Sequence, residues 1–199
     1  SIILTKFCIG NIRKKFFKSG VKMAKFNEKT LKNNENLKNS INFKKSLGQN
    51  FLFDLNLTGR IARSVPNIAH TTVIEVGPGP AGLTRALLMA GAKRVIAIEK
   101  DKTTEPILSQ IIDAAAGRLS VIFDDALRVN FADFGVEEYA ICSNLPYNVG
   151  TELLIGWLHK MAVGEQIKSL TLMFQKEVAQ RITSKPGVNI AYRRCKNFI

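Results

Sequence analysis

The sequence is poor in the residues from which metal sites and disulfide frameworks are built. Its 199 residues include two histidines, His70 and His159, and three cysteines, Cys8, Cys142 and Cys195. The cysteines are odd in number, far apart and without metal-ligand spacing, which argues against a disulfide framework and for a reducing compartment. Each histidine stands alone, as a surface or packing residue would rather than a ligand, so no metal site is expected. No apolar run reaches the length of a membrane span, which removes membrane-embedded functions. Acidic residues are scarce at one end: Ser1 to Asn50 carries twelve Lys/Arg against Glu28 and Glu35, and none of residues 1–27 is acidic.

That asymmetry places most of the formal net charge of +13 on the first quarter of the chain. A basic arm on a near-neutral domain is the footprint of a polyanion partner such as RNA. A solubilising leader is the plain alternative. Residues 1–42 are rich in Lys and Asn and lack sustained periodicity, so they read as disordered or weakly helical. Their acid-free start faintly resembles an organelle transit peptide, although Lys outnumbers Arg. A hydrophobic fraction of 46% supplies a core, and the length suits one domain with an appendage.

From Phe43 onward strand and helix patterns alternate. Leu55 to Val65 reads as a helix ending at Pro66. Val73–Val76, Arg94–Ile98, Leu119–Phe123, Tyr139–Cys142 and Ser169–Phe174 read as strands. Helices are expected at Leu83–Ala90, Ile107–Ala115, Thr151–Met161 and Lys176–Thr183. Short apolar strands separated by helices predict an α/β fold with a parallel sheet buried on both faces. Ligands of such sheets bind beyond the carboxyl ends of the strands, and the motifs fall there.

The first of these strands runs into Gly77-Pro78-Gly79-Pro80-Ala81-Gly82, a G-x-G-x-x-G turn, and Glu99 follows 20 residues past Gly79. Glycines let a ligand approach the backbone closely, and the carboxylate suits ribose hydroxyls. A dinucleotide or S-adenosylmethionine (SAM) could use this arrangement. Pro78 and Pro80 remove amide donors that a pyrophosphate would want, and Glu75 favours a cationic amino-acid group, so SAM is the preferred reading. A turn that merely packs helix on strand is the bland one. Asp124-Asp125 follows the third expected strand, where a carboxylate can accept from an adenine amine; alone, the pair could simply cap a helix. Asn144-Leu145-Pro146-Tyr147 follows the fourth. An Asn side-chain oxygen and the Leu145 carbonyl can accept the two N–H bonds of one exocyclic amine, with Tyr147 offering a face for the base. Pro146 fixes the backbone. Upstream, Lys44-Lys45-Ser46-Leu47-Gly48-Gln49-Asn50-Phe51-Leu52 could close over a cofactor while touching phosphate, or serve as a helix leader.

Taken together, Leu47-Gly48-Gln49-Asn50-Phe51-Leu52, Glu75-Val76-Gly77-Pro78-Gly79, Ile98-Glu99, Asp125-Ala126, Asn144-Leu145-Pro146-Tyr147-Asn148 and Gln175-Lys176-Glu177-Val178-Ala179 resemble the ribosomal RNA adenine dimethyltransferase family, over about residues 43–187. The resemblance implies a Rossmann-like SAM-dependent methyltransferase sheet that dimethylates N6 of two adjacent adenosines near the 3′ end of small-subunit rRNA. It implies cofactor contacts at Asn50, Leu52, Gly77, Glu99, Asp125 and Asn144, and places the target adenine against Asn144, Leu145, Pro146 and Tyr147. The partner it implies is small-subunit rRNA in the small ribosomal subunit, met by a monomer in the cytoplasm, with a mitochondrial location as the alternative.

Two departures stand out. The family usually has a basic-aromatic pair where this chain has Ser46-Leu47. After Lys185-Pro186-Gly187 the sequence leaves the family pattern, so residues 188–199 read as a non-family tail. The domain over 43–187 is then expected to lack its last two strands and the small helical C-terminal domain, leaving a sheet edge unpaired. A catalytically inactive, truncated RNA-binding or assembly remnant is therefore the alternative function. A nicotinamide-dependent oxidoreductase is a third class, disfavoured by Pro78, Pro80 and the Asn-Leu-Pro-Tyr turn.

Overall fold

A parallel strand covered on both faces must be apolar nearly throughout, and the runs read as strands satisfy this. The computed structural model describes residues 2–8, 54–145 and 148–183. It contains β1 (Ile2–Cys8), β2 (Thr72–Val76), β3 (Arg94–Glu99), β4 (Leu119–Phe123), β5 (Tyr139–Asn144) and β6 (Ile167–Gln175). The helices are α1 (Leu55–Arg63), α2 (Gly82–Met89), α3 (Glu105–Ala114), α4 (Gly150–Ala162) and α5 (Lys176–Thr183). Local chemistry sets several boundaries. Asp54 caps α1 by accepting from the Asn56 and Leu57 amides, and Pro106 stands in the first turn of α3, where no amide donor is needed.

The strands lie in the order β1-β6-β5-β2-β3-β4. β2 to β6 are mutually parallel, and β1 joins β6 antiparallel. From β2 the chain steps outward to β3 and β4, then returns across the sheet to β5 and continues the other way to β6. Right-handed crossovers consequently put α2 and α3 on one face and α4 on the other. The first face buries Ile61, Leu87, Leu108 and Ile111 against Val73 and Val95. The second buries Leu153, Leu154 and Trp157 against Ile74, Ile96 and Ile141. The returning connection carries Phe131, whose ring centroid lies 6.0 Å from Tyr139 and 6.4 Å from Trp157. It thereby anchors the crossover with a 3-10 turn at Phe131–Phe134 that the sequence pattern does not announce.

Two expectations need correction. β5 runs two residues beyond Cys142, so Asn144 is the last residue of a strand, paired with Met173, rather than part of a loop. The other concerns the leader, where Ile2–Cys8 forms a strand instead of disordered or helical chain. Its register on β6 runs from Ile2 opposite Gln175 to Cys8 opposite Ser169. Ile2, Ile3, Thr5 and Phe7 suit a pleated edge, and β6 would otherwise present a row of unpaired amides and carbonyls. The lysine-rich average of residues 1–42 conceals this short apolar run. The edge of β6 expected to be open is thus paired. Residues 9–53, 146–147 and 184–199 lie outside the described residues.

Deletion of residues 1–8 should uncover β6 and lose ladder bonds worth on the order of a few kcal/mol in total. The expected result is a lowered melting temperature and concentration-dependent association in sedimentation velocity. A monomer with an unchanged melting temperature would show that β1 does not protect this edge.

Candidate active site

The sheet reverses its winding between β2 and β5, and the crevice outside the carboxyl ends of strands at such a switch point is where α/β folds bind ligands. Ile74 pairs with Ile141, an offset of 67 residues, and the same offset recurs where the Val76 N–H donates to Ser143 Oγ at 2.8 Å. Asn144 accordingly leaves the sheet level with Gly77. On the other side, Val76 pairs with Ile98 and Glu99 with Phe123. Asn144, Gly77, Glu99 and Asp125 therefore line one edge of four neighbouring strands, spanning three strand spacings or about 14 Å.

The turn after β2 is held by its own backbone. Gly77 and Gly79 have φ of 71° and 51°, in the region that favours glycine, and Ala81 adopts 63°. The Gly77 N–H donates to the Ile98 carbonyl at 2.9 Å, and the Ala81 N–H to the Pro78 carbonyl at 2.9 Å. The Gly79 N–H donates to Glu99 Oε2 at 2.9 Å, while Glu99 Oε1 accepts from the Asp101 amide at 2.8 Å. With Pro78 and Pro80 lacking an N–H, every amide from Gly77 to Ala81 is either absent or already donated. A phosphate would find no donor along this stretch. A flat, uncharged sugar and base, or a cationic group, would meet no such objection.

A family model for ribosomal RNA adenine dimethylase matches residues 40–196. The chain belongs to this family. The match runs on past Gly187, where the sequence pattern suggested that the domain ends. The chain is 57% identical over 144 residues to the ribosomal RNA small subunit methyltransferase A of Xanthobacter autotrophicus, covering 72% of this chain and 50% of that protein. Among solved structures it is similar to a dimethyladenosine transferase from Plasmodium falciparum, with a TM-score of 0.58 and 25% identity over 72% of this chain and 50% of that one. It is also similar to the 23S rRNA methyltransferase ErmE, with a TM-score of 0.57 and 27% identity over 67% of this chain and 51% of that one. The chain spans about half the length of the curated relatives it matches. Its sheet is the Rossmann-like sheet of the rRNA methyltransferases.

Within this dimethylase-family sheet two carboxyls are buried, those of Glu75 and Glu99. Glu75 is 1% exposed, and its Oε2 has no hydrogen-bond partner among the described residues. Burial pushes its carboxyl up to about 8; the nearby Thr84 hydroxyl opposes the rise and the Glu99 carboxylate adds to it. The Thr84 Oγ1 is likewise without a hydrogen-bond partner among the described residues. Burial raises the Glu99 carboxyl as well, against the pull of the backbone amides that bond it. The buried Glu99 carboxyl beside the glycine turn favours a cation over an anion at this site, while Glu75 holds its proton near neutral pH and adds no charge of its own. Asp125 differs: the Lys100 ammonium, 2.7 Å from Oδ2, holds its carboxyl below the ordinary range.

The structure brings Gly77, Glu99, Asp125, Asn144 and Leu145 to one edge. Asn50, Leu52, Pro146 and Tyr147 lie outside the described residues. Leu145 is buried, and a Cβ at Gly150 would stand 3.1 Å from its Cβ, so the glycine lets the first turn of α4 close on it. Sequence reasoning gave no part to Ser143 or Lys100. A hydroxyl inside the apolar run of β5 is a signal for Ser143, because a buried polar group needs a partner. Nothing local marks Lys100, whose partner is 25 residues away.

The Glu75 carboxyl titrates at about 8 in the fold against an ordinary 4.5, so the native state keeps a proton that the unfolded chain releases between those values. Its contribution to stability is complete below pH 4.5 and is withdrawn as pH rises toward 8. Glu75→Gln cannot ionise. It should therefore match wild type near pH 5 and exceed it at pH 8 in denaturant unfolding followed across that range. Parallel curves for the two proteins would place the ionisation elsewhere.

Proposed function

We propose that this chain carries the cofactor-binding and target-holding half of a SAM-dependent enzyme that dimethylates N6 of two adjacent adenosines near the 3′ end of small-subunit rRNA, a step of ribosome biogenesis. The observation that carries the reading is the glycine turn. With its amides absent or donated and the buried Glu99 carboxyl beside it, the turn suits a cofactor without phosphate and with a cationic amino-acid end. The names of the family and of its curated relatives support the substrate class.

In this reading Gly77 gives the cofactor close access to the backbone. Glu99 accepts from the ribose hydroxyls with the acceptor capacity its bonds to the backbone amides leave over. Asp125 accepts from the adenine amine, and Asn50 and Leu52 complete the cofactor contacts by family resemblance. SAM, when bound, supplies an electrophilic methyl group on its sulfonium. The adenosine is splayed from its RNA and its base lies on Tyr147, next to Pro146. The Asn144 side-chain oxygen and the Leu145 carbonyl accept the two N–H bonds of N6, which leaves the nitrogen lone pair directed outward. Catalysis is then mostly positioning, with the displaced proton released to solvent.

The methyltransferase domain takes in the family match over residues 40–196 together with the strand Ile2–Cys8, and the lysine-rich stretch between them is a basic leader that meets RNA phosphate. The protein acts as a monomer in the cytoplasm. No helix among the described residues is long and apolar enough to cross a membrane.

Asn144→Ala should lower methyl transfer to small-subunit particles about a hundredfold or more while leaving the fold intact. Transfer at the wild-type rate would refute the role of Asn144. Glu99→Ala should weaken SAM binding at least about tenfold in calorimetry and lower the melting temperature, because it removes a charged acceptor from two backbone amides as well as from the ligand. Unchanged affinity would move the ribose contact elsewhere, and no binding of SAM by the folded wild-type chain would overturn the reading of the site.

A further inference from the structure

Lys100 and Asp125 stand at the ends of neighbouring parallel strands, β3 and β4. Lys100 Nζ lies 2.7 Å from Asp125 Oδ2, and the Leu127 amide donates to Asp125 Oδ1 at 3.1 Å. The Asp125 amide in turn donates to Asp124 Oδ1 at 2.7 Å, and its carbonyl accepts from the Arg128 amide at 2.8 Å. The carboxylate is thus gripped from both sides, by an ammonium at one oxygen and a turn amide at the other. The Lys100 side chain is 76% exposed and that of Asp125 23%. A pair with so exposed a lysine adds little to folding stability, so stability does not account for the arrangement. Its distinct consequence is geometric. A carboxylate has about four acceptor sites, of which two are used here, and the others are left in a fixed orientation.

We propose that Lys100 is a positioning residue that fixes the Asp125 carboxylate to read the exocyclic amino group of the bound nucleoside. The inference rests on the cofactor reading given above and adds to it the residue that sets base specificity. Without the ammonium, Asp125 retains its turn bond but rotates about it, and part of the gain from accepting the amine is lost in ordering the side chain. Lys100 itself need not touch the base. Its effect should therefore require Asp125 and should fall on the amino group alone.

The test is calorimetric titration of the full chain with S-adenosylhomocysteine and with its analogue bearing hydrogen in place of the 6-amino group. Wild type should prefer the amino form. In Lys100→Met that preference should fall about threefold to tenfold. The affinity for the 6-hydrogen form and the melting temperature should not change. Lys100→Arg should restore the preference, and Lys100→Met should have no further effect in an Asp125→Asn background. Equal loss of affinity for both ligands, or an unchanged preference, would overturn the role of Lys100 while leaving the cofactor site standing. Failure of the wild-type chain to bind either ligand would overturn the cofactor reading and this inference with it.

Discussion

The buried carboxylate of Glu99 is the tie on which the site depends. By accepting from the Gly79 and Asp101 amides, it joins the glycine turn after β2 to the end of β3 and to the cap of the next turn. Gly77 and Ala81 complete the hold with bonds to Ile98 and Pro78. A turn with two residues lacking an N–H and three with φ above zero has few ways to satisfy itself, and this network supplies them. The shape of the ligand cradle is accordingly set before a ligand arrives. The cost is a carboxylate held out of water, which is why its carboxyl titrates above the ordinary range.

Polarity follows from the same arrangement. A helix N-terminus preceded by glycines is ordinarily a place for phosphate. Here Pro78, Pro80 and Glu99 reverse that preference, because two amide donors are absent and a third is already bound to a carboxyl. The neighbouring strand ends then divide the work by chemistry. Buried acids flank the turn, while a surface acid with its own lysine stands one strand further out. An Asn aligned with the turn occupies the side where the sheet reverses. The Ser143 hydroxyl joins the turn and the Asn position across β2 and β5, coupling the backbone beside Asn144 to the backbone beside Gly77.

The sheet edge opposite β4 is closed by a strand from the basic leader. β6 buries Ile167, Leu170, Leu172 and Phe174 in the core, and an open ladder beside them would invite pairing with another chain. An antiparallel partner at the end of a parallel sheet needs no crossover helix, so any extended segment with the right residues can fill the place. That is how a stretch distant in sequence from the rest of the domain takes part in its sheet.

Much of this was legible in the residues. Apolar runs of five or six, helical periods between them and the glycine turn predict the parallel sheet and put the site at its carboxyl edge, since those signals are local and depend on burial alone. That Gly77, Glu99, Asp125 and Asn144 would stand at one edge of the sheet was legible, because each ends a strand or lies just past one. The strand at Ile2–Cys8 was not, because its short apolar run is lost in a lysine-rich leader and only pairing with β6 gives it a place in the sheet. Nor was the grip of Lys100 on Asp125, which exists only because β3 and β4 end side by side. The sequence by itself determined which residue types stand at the strand ends, through periodicity and turn chemistry. Only the tertiary structure decided which amides and carboxylates those residues satisfy, because hydrogen bonds between segments depend on register, and register is fixed when the sheet assembles.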